Sequence, residues 1–289
     1  MRWIALKKSG HPELKSPEPI LAGPLFPEVR RRLLELLEGL SSEEWELPTT
    51  AGKWTVKDVA AHLLGGNIGN LSRRRDQHSL PSGSLDEWKN LVAFINQINA
   101  SWVEAARRMS PRVLCDLLAH TGAQIDAYYE SLDPFAIGGP VSWAGSEPAP
   151  VWLDVAREYT EQWHHQQQIR DSAGRPGLYE PRLFAPVLDA FVRALPHTFR
   201  EVNAPEETAV QVKIAGAAGG DWTLVRSGQA WLLYVGASAD AVATVEIAQE
   251  DAWKIFTRGI RGEEALRRAK VSGDQALGKK VLEMVSVIA

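Results

Sequence analysis

His62, Glu161 and His165 have the side-chain types and the spacing to bind a catalytic metal ion. Glu161 and His165 are four residues apart in the stretch from Val155 to Arg170, which reads as a helix, so their side chains stack on one face. His62 comes much earlier, in Trp54-Thr-Val-Lys-Asp-Val-Ala-Ala-His-Leu63, where Thr55 and Asp58 have the pattern of a capping box and Val59, Ala60 and Leu63 form an apolar face. Two imidazoles and one carboxylate are what a catalytic zinc-like ion uses when it keeps a position free for water or substrate, whereas structural sites close with four protein ligands, often cysteines. Gly65, Gly66 and Gly69 follow His62 and would leave that helix face nearly bare, open to an approaching ligand. The alternative is an ordinary half-buried histidine at 62 and a solvated polar stripe at 161 and 165. His164, turned about a hundred degrees from His165 around the helix, is the competing ligand.

Only a fold that packs the helices of His62 and His165 together closes such a site. Helical periodicity runs over Pro27 to Leu37, over Thr55 to about Gln77, and from Leu85 through Ser110 and Pro111 to Ser131, as two helices or one kinked at Ser110-Pro111. A fourth stretch extends from about Pro150 to Ala173. This pattern predicts a four-helix bundle, which holds ions by inward side chains of facing helices. Residues 133–150, rich in glycine and proline around Phe135 and Trp143, read as a long loop that covers the site or merely tethers two helices.

After a helix over Pro186 to Leu195 the composition changes. Thr208 to Ile214, Trp222 to Arg226, Ala230 to Val235 and Ala243 to Ile247 are short β-branched and aromatic runs between glycine-rich turns, which predict an antiparallel sheet. Helices are expected near Gln249 to Arg258 and Asp274 to Val285. The predicted class is therefore α+β, with a helical bundle over residues 20–200 and a small domain of antiparallel sheet plus helices over 201–289.

Three further charged residues are candidates for catalysis. Arg73, in Arg73-Arg74-Arg75, could clamp a substrate carboxylate with its bidentate fork, or belong to a solvated face. Arg157, one turn before Glu161, competes for that task or orients Glu161. Glu158 is a possible acid/base group, with a surface carboxylate as the alternative. Cys115, the one cysteine, reads as a small buried hydrophobe rather than a nucleophile.

The stretch Leu40-Ser-Ser-Glu-Glu-Trp45, followed by Pro48 to Leu63 with its Trp-Thr-Val-Lys-Asp-Val-x-x-His motif, resembles the opening of the DinB-like superfamily in its mycothiol-dependent maleylpyruvate isomerase branch. Arg157, Glu161, Trp163, His165, Ile169 and Gly174-Arg-Pro176 resemble a later helix of the same branch, so that the likeness covers roughly residues 20 to 180. It implies a DinB-like four-helix bundle in which a histidine and a Glu-x-x-x-His pair hold a divalent metal, usually Zn2+; by position these are His62, Glu161 and His165. It also implies mycothiol or a similar thiol as cofactor. The ending, with Ala239 to Ile247, Trp253 to Gly259 and Val271-Ser-Gly-Asp274, is similar to the small sterol-carrier-like domain of that branch. For that segment the likeness implies a structural, dimer-forming or substrate-shaping role, with lipid binding as the alternative; a homodimer fits this reading.

Composition bounds the rest. At 289 residues and 45% hydrophobic content the chain can fill two cores, and a formal charge of −4 gives no electrostatic footprint for nucleic acid. No apolar run is long enough to span a bilayer and the first eight residues lack a signal-peptide core, so a cytoplasmic protein with no membrane partner is expected. The expected function is a divalent-metal-dependent enzyme that uses a low-molecular-weight thiol for isomerisation or S-transfer on a small electrophilic substrate. A thiol is a poor nucleophile until it loses its proton, and an open metal position lowers the pKa of whatever binds there. The alternatives are a metal-dependent hydrolase with Glu158 as base, and a non-catalytic protein that holds an apolar ligand.

Overall fold

The computed structural model describes residues 13–78 and 88–286; the first eight residues and the expected helix start at Leu85 lie outside the described residues. Packing divides the chain into a unit of residues 22–132 with 161–178, and a unit of residues 13–21, 133–160 and 179–286. The sequence division at 200 follows a change of composition instead.

The first unit is helical. Helix α1 spans Phe26–Glu38, α2 Ser42–Trp45, α3 Val56–Asn70, α4 Trp88–Ala106 and α5 Pro111–Ser131, and the later part of α6, Val151–Ser172, completes it. Thr55 caps α3 as its sequence predicts: its hydroxyl accepts from Asp58 N–H, and the Asp58 carboxylate accepts from Thr55 N–H, both at 3.3 Å. Beyond Asn70 the chain widens into a π-helical turn, Leu71–Arg75, which carries the three arginines. α4 and α5 are separate helices because Ser110 is extended and caps α5 through Val113 N–H, while Pro111 takes the first helical position, where its missing N–H costs nothing. Leu33 and Leu37 of α1, Val59 and Leu63 of α3, Leu114 and Leu118 of α5 and Ile169 of α6 are buried in one cluster. Burial of such side chains stabilises by about 1.5–3 kcal/mol each, so this apolar seam fixes α3 and α6 as neighbours.

The second unit carries the sheet. Residues 133–150, expected as a loop, contain an antiparallel pair, β1 (Ile137–Pro140) and β2 (Pro148–Pro150), with Trp143 buried and Phe135 exposed. Helices α7 (Pro181–Val192) and α8 (Leu195–Thr198) precede strands β3 (Ala209–Ala215), β4 (Gly220–Ser227), β5 (Ala230–Val235) and β6 (Ala243–Ala248). Helices α9 (Gln249–Phe256) and α10 (Gly262–Arg268), strand β7 (Ala269–Gly273) and helix α11 (Gln275–Val281) follow. The strand order is β5-β4-β3-β6-β7. The sheet is mixed rather than wholly antiparallel, since β6 pairs parallel to β3. β4 already has a neighbour on each side, so the chain leaving edge strand β5 crosses back to the free side of β3, which a two-residue hairpin cannot do. Lys15 covers the β5 edge by exchanging both backbone hydrogen bonds with Val235, at 3.0 and 2.8 Å. Among the described residues no helix is long and apolar enough to cross a membrane.

Candidate metal centre

The bundle brings His62 from the middle of α3 to Glu161 and His165 on α6, with one donor atom from each within 4.8 Å of the others. His165 Nε2 lies 3.3 Å from Glu161 Oε2, as the four-residue spacing predicts. The His62 and His165 rings meet edge to face at 4.6 Å, and Trp54, just ahead of α3, lies 5.0 Å from the His62 ring on a tilted plane. His165 is buried, whereas His62 and Glu161 are half-buried and leave the cluster a face toward solvent.

Burial, reinforced by the imidazoles of His165 and His164, pushes His62 down from 6.5 to about 3 against the pull of the Glu161 carboxylate. Burial alone would raise Glu161, but the His165 hydrogen bond and the charges of His164, His165 and His62 outweigh it and hold the carboxyl well below its usual range. A neutral imidazole and an ionised carboxylate are the ligating forms of these groups. The donor set therefore fits a divalent ion.

The remaining candidates have partners of their own. His164 is buried with its ring 3.9 Å from that of His165, and stands outside the converging set of three. Arg73 is exposed in the π-helical turn, where it donates to Asn70 Oδ1 at 3.4 Å. Arg157 donates to Asp154 at 2.9 Å and to Glu158, so these two candidates neutralise each other within the first half of α6. Cys115 is half-buried, and burial with the charges of Glu38 and Asp116 pushes its thiol up to about 11, which keeps it inert near neutral pH.

Of the three glycines expected to open the helix face, Gly65 has a different reason. A Cβ there would stand 2.5 Å from Trp102 Cδ1, and the indole donates to Ala61 O at 2.7 Å, so Gly65 admits a packing tryptophan. Gly66 and Gly69 do face open space.

Sequence reasoning passed over the polar side chains behind the donors. Asn67 on α3 accepts from Gln162 and donates to Thr121, each at 3.2 Å, which ties α3, α5 and α6 together beside the site. Gln168 Oε1 is 2.8 Å from His165 Nδ1. The signal was available: Gln166, Gln167 and Gln168 follow the histidines directly, and three consecutive amides in a helix with an apolar face invite a search for buried partners.

A helical bundle with a converging His-Glu-His group that could hold a metal ion, followed by a mixed-sheet module, defines the class of this chain by its fold and its candidate site. Within that class the chain belongs to the family of the mycothiol maleylpyruvate isomerase N-terminal domain, whose model matches residues 26–170. Among solved structures it is similar to the mycothiol-dependent maleylpyruvate isomerase and to a histidine-to-alanine mutant of that enzyme. Each has a TM-score of 0.54 and 12% identity, over 89% of this chain and 95% of the other. At that identity the likeness shows the shared fold. No curated protein matches the chain.

Proposed function

We propose that His62, Glu161 and His165 hold a divalent metal ion, Zn2+ being the one the donor set favours. We further propose that the protein is a metal- and thiol-dependent isomerase or transferase acting on a small electrophilic substrate. The observation that carries this reading is the convergence of two imidazoles and one carboxylate within 4.8 Å, with no fourth protein donor in the group among the described residues. What such an ion supplies is a lowered pKa for a thiol or water bound beside it. The chain's own residues do the rest. His62 stays neutral and so remains a donor well below neutral pH, Glu161 stays anionic, and Trp54 shields one side of the His62 ring from water.

Support for a thiol rather than water comes from the family, whose name carries mycothiol, and from the mycothiol dependence in the names of both similar structures. A mycothiol-like thiolate that adds to an electrophilic double bond forms a C–S bond and leaves the π pair as an enolate-type carbanion; rotation about the now single bond and expulsion of the thiolate gives the isomer, whereas proton uptake by the carbanion leaves the adduct as product. Arg73 is proposed as the clamp for an acidic substrate, because its exposed guanidinium offers the planar donor fork that suits a carboxylate. Arg157 and Glu158 are proposed to steady the α6 segment that leads to Glu161. Metal analysis joined to a thiol-dependence assay tests the reading: activity needing both metal and thiol supports it, activity with metal alone points to hydrolysis, and activity with neither leaves a binding protein.

A further inference from the structure

Each glutamine of the run behind the histidines has its own use. Gln166 Nε2 donates to Val29 O at 3.0 Å, and Gln167 donates to Asp171 at 2.9 Å while accepting from Leu178 N–H at 2.8 Å. These bonds hold the end of α6 to α1 and to the chain that follows. Gln168, buried at 8% exposure, instead turns its amide oxygen to His165 Nδ1 at 2.8 Å. An amide oxygen has no proton to give, so the proton of this bond belongs to Nδ1.

We propose that Gln168 is a positioning residue of the metal centre: by accepting from His165 Nδ1 it fixes the ring so that Nε2, the atom that meets Glu161 at 3.3 Å, is the one turned to the ion. This rests on the metal reading above. Metal-bound histidines are commonly oriented through their second ring nitrogen, and partners of this kind govern affinity as well as geometry. A neutral amide fixes the ring without adding charge, so the centre keeps Glu161 as the single anion among its donors. A carboxylate at position 168 would fix the ring equally and make it more basic.

The test compares the wild type with Gln168→Leu, which keeps the bulk but has no acceptor, and with Gln168→Glu, which keeps the acceptor. Imidazole N–H correlation spectra of the 15N-labelled, metal-free proteins should show a His165 Nδ1–H signal in the wild type and in Gln168→Glu, and none in Gln168→Leu. Chelator competition should show zinc bound roughly 10–100-fold more weakly by Gln168→Leu, with affinity restored in Gln168→Glu. A wild type without the Nδ1–H signal, or a Gln168→Leu protein with unchanged signal and unchanged zinc affinity, overturns the proposal. A wild type that shows the signal yet binds no zinc overturns the metal reading, and with it the role of Gln168, in a pattern distinct from failure of the hydrogen bond itself.

Discussion

The imidazoles of His62 and His165 stand edge to face, 4.6 Å between ring centres and 72° between planes, although they come from helices that the chain visits far apart. Their nitrogens share one small volume with a Glu161 oxygen. Purified protein should therefore carry about one equivalent of a divalent ion, since three such ligands with an open position make a catalytic site. Metal analysis should find it depleted in His62→Ala and in His165→Ala, and retained in His164→Ala. Retention in both of the first two removes the proposed donors; loss in His164→Ala alone moves the ligand by one residue.

Acid should weaken the metal-free protein in a way that traces to the same residues. His62 takes up its proton near 6.5 when unfolded and only near 3 when folded, so between these values the unfolded chain binds more protons and stability falls as pH falls. The loss amounts to at most about 1.4 kcal/mol per pH unit. Glu161 acts in the same direction. Its folded carboxyl is held below the ordinary 4.5, so its contribution is present above that value and is lost as pH falls below it. Denaturant midpoints from pH 7 to pH 4 should show a shallower decline in His62→Gln. Parallel profiles would show that His62 titrates normally in the folded protein.

The donor trio was legible because helical spacing alone aligns Glu161 with His165, and the capping box of Thr55 and Asp58 places His62 two turns into α3. The class of the fold was legible for the same reason, since long amphipathic stretches declare their period. The parallel pairing of β3 with β6 was not, because strand order depends on which edges remain free after β4 and β5 have paired. Strand β7 also escaped: Ala269-Lys-Val-Ser-Gly273 alternates apolar and polar side chains over only a few residues at a sheet edge, too short a run to stand out between two helices. The role of Gly65 could not be read either, because the partner that demands a missing side chain, Trp102, lies on another helix.

Adjacent glycines of α3 should respond with opposite sign to the same substitution. Gly65→Ala forces a methyl against the Trp102 indole at 2.5 Å and should destabilise by about 1–3 kcal/mol, the range for overpacking. Gly66→Ala meets open space and should stabilise by up to about 1 kcal/mol through helix propensity. Thermal or urea unfolding decides the matter, and equal effects at the two positions would remove the packing argument.

The chemistry itself can be read in a cobalt-substituted protein. If a thiol binds at the proposed ion, its sulfur is deprotonated there whereas a free thiol near neutral pH mostly is not, so titration with mycothiol or a simpler thiol should release a proton. The same titration should raise a sulfur-to-cobalt charge-transfer band in the near ultraviolet. Glu161→Gln should weaken or abolish the band by removing the anionic donor. Arg73→Ala should leave it intact and raise only the concentration of acidic substrate needed, because a clamp on a substrate carboxylate contributes to substrate binding rather than to ionisation of the thiol. Cobalt protein that takes up its metal but shows neither band nor proton release with any thiol would sink the thiol reading while leaving the metal centre standing, and would favour activation of water at the same three donors.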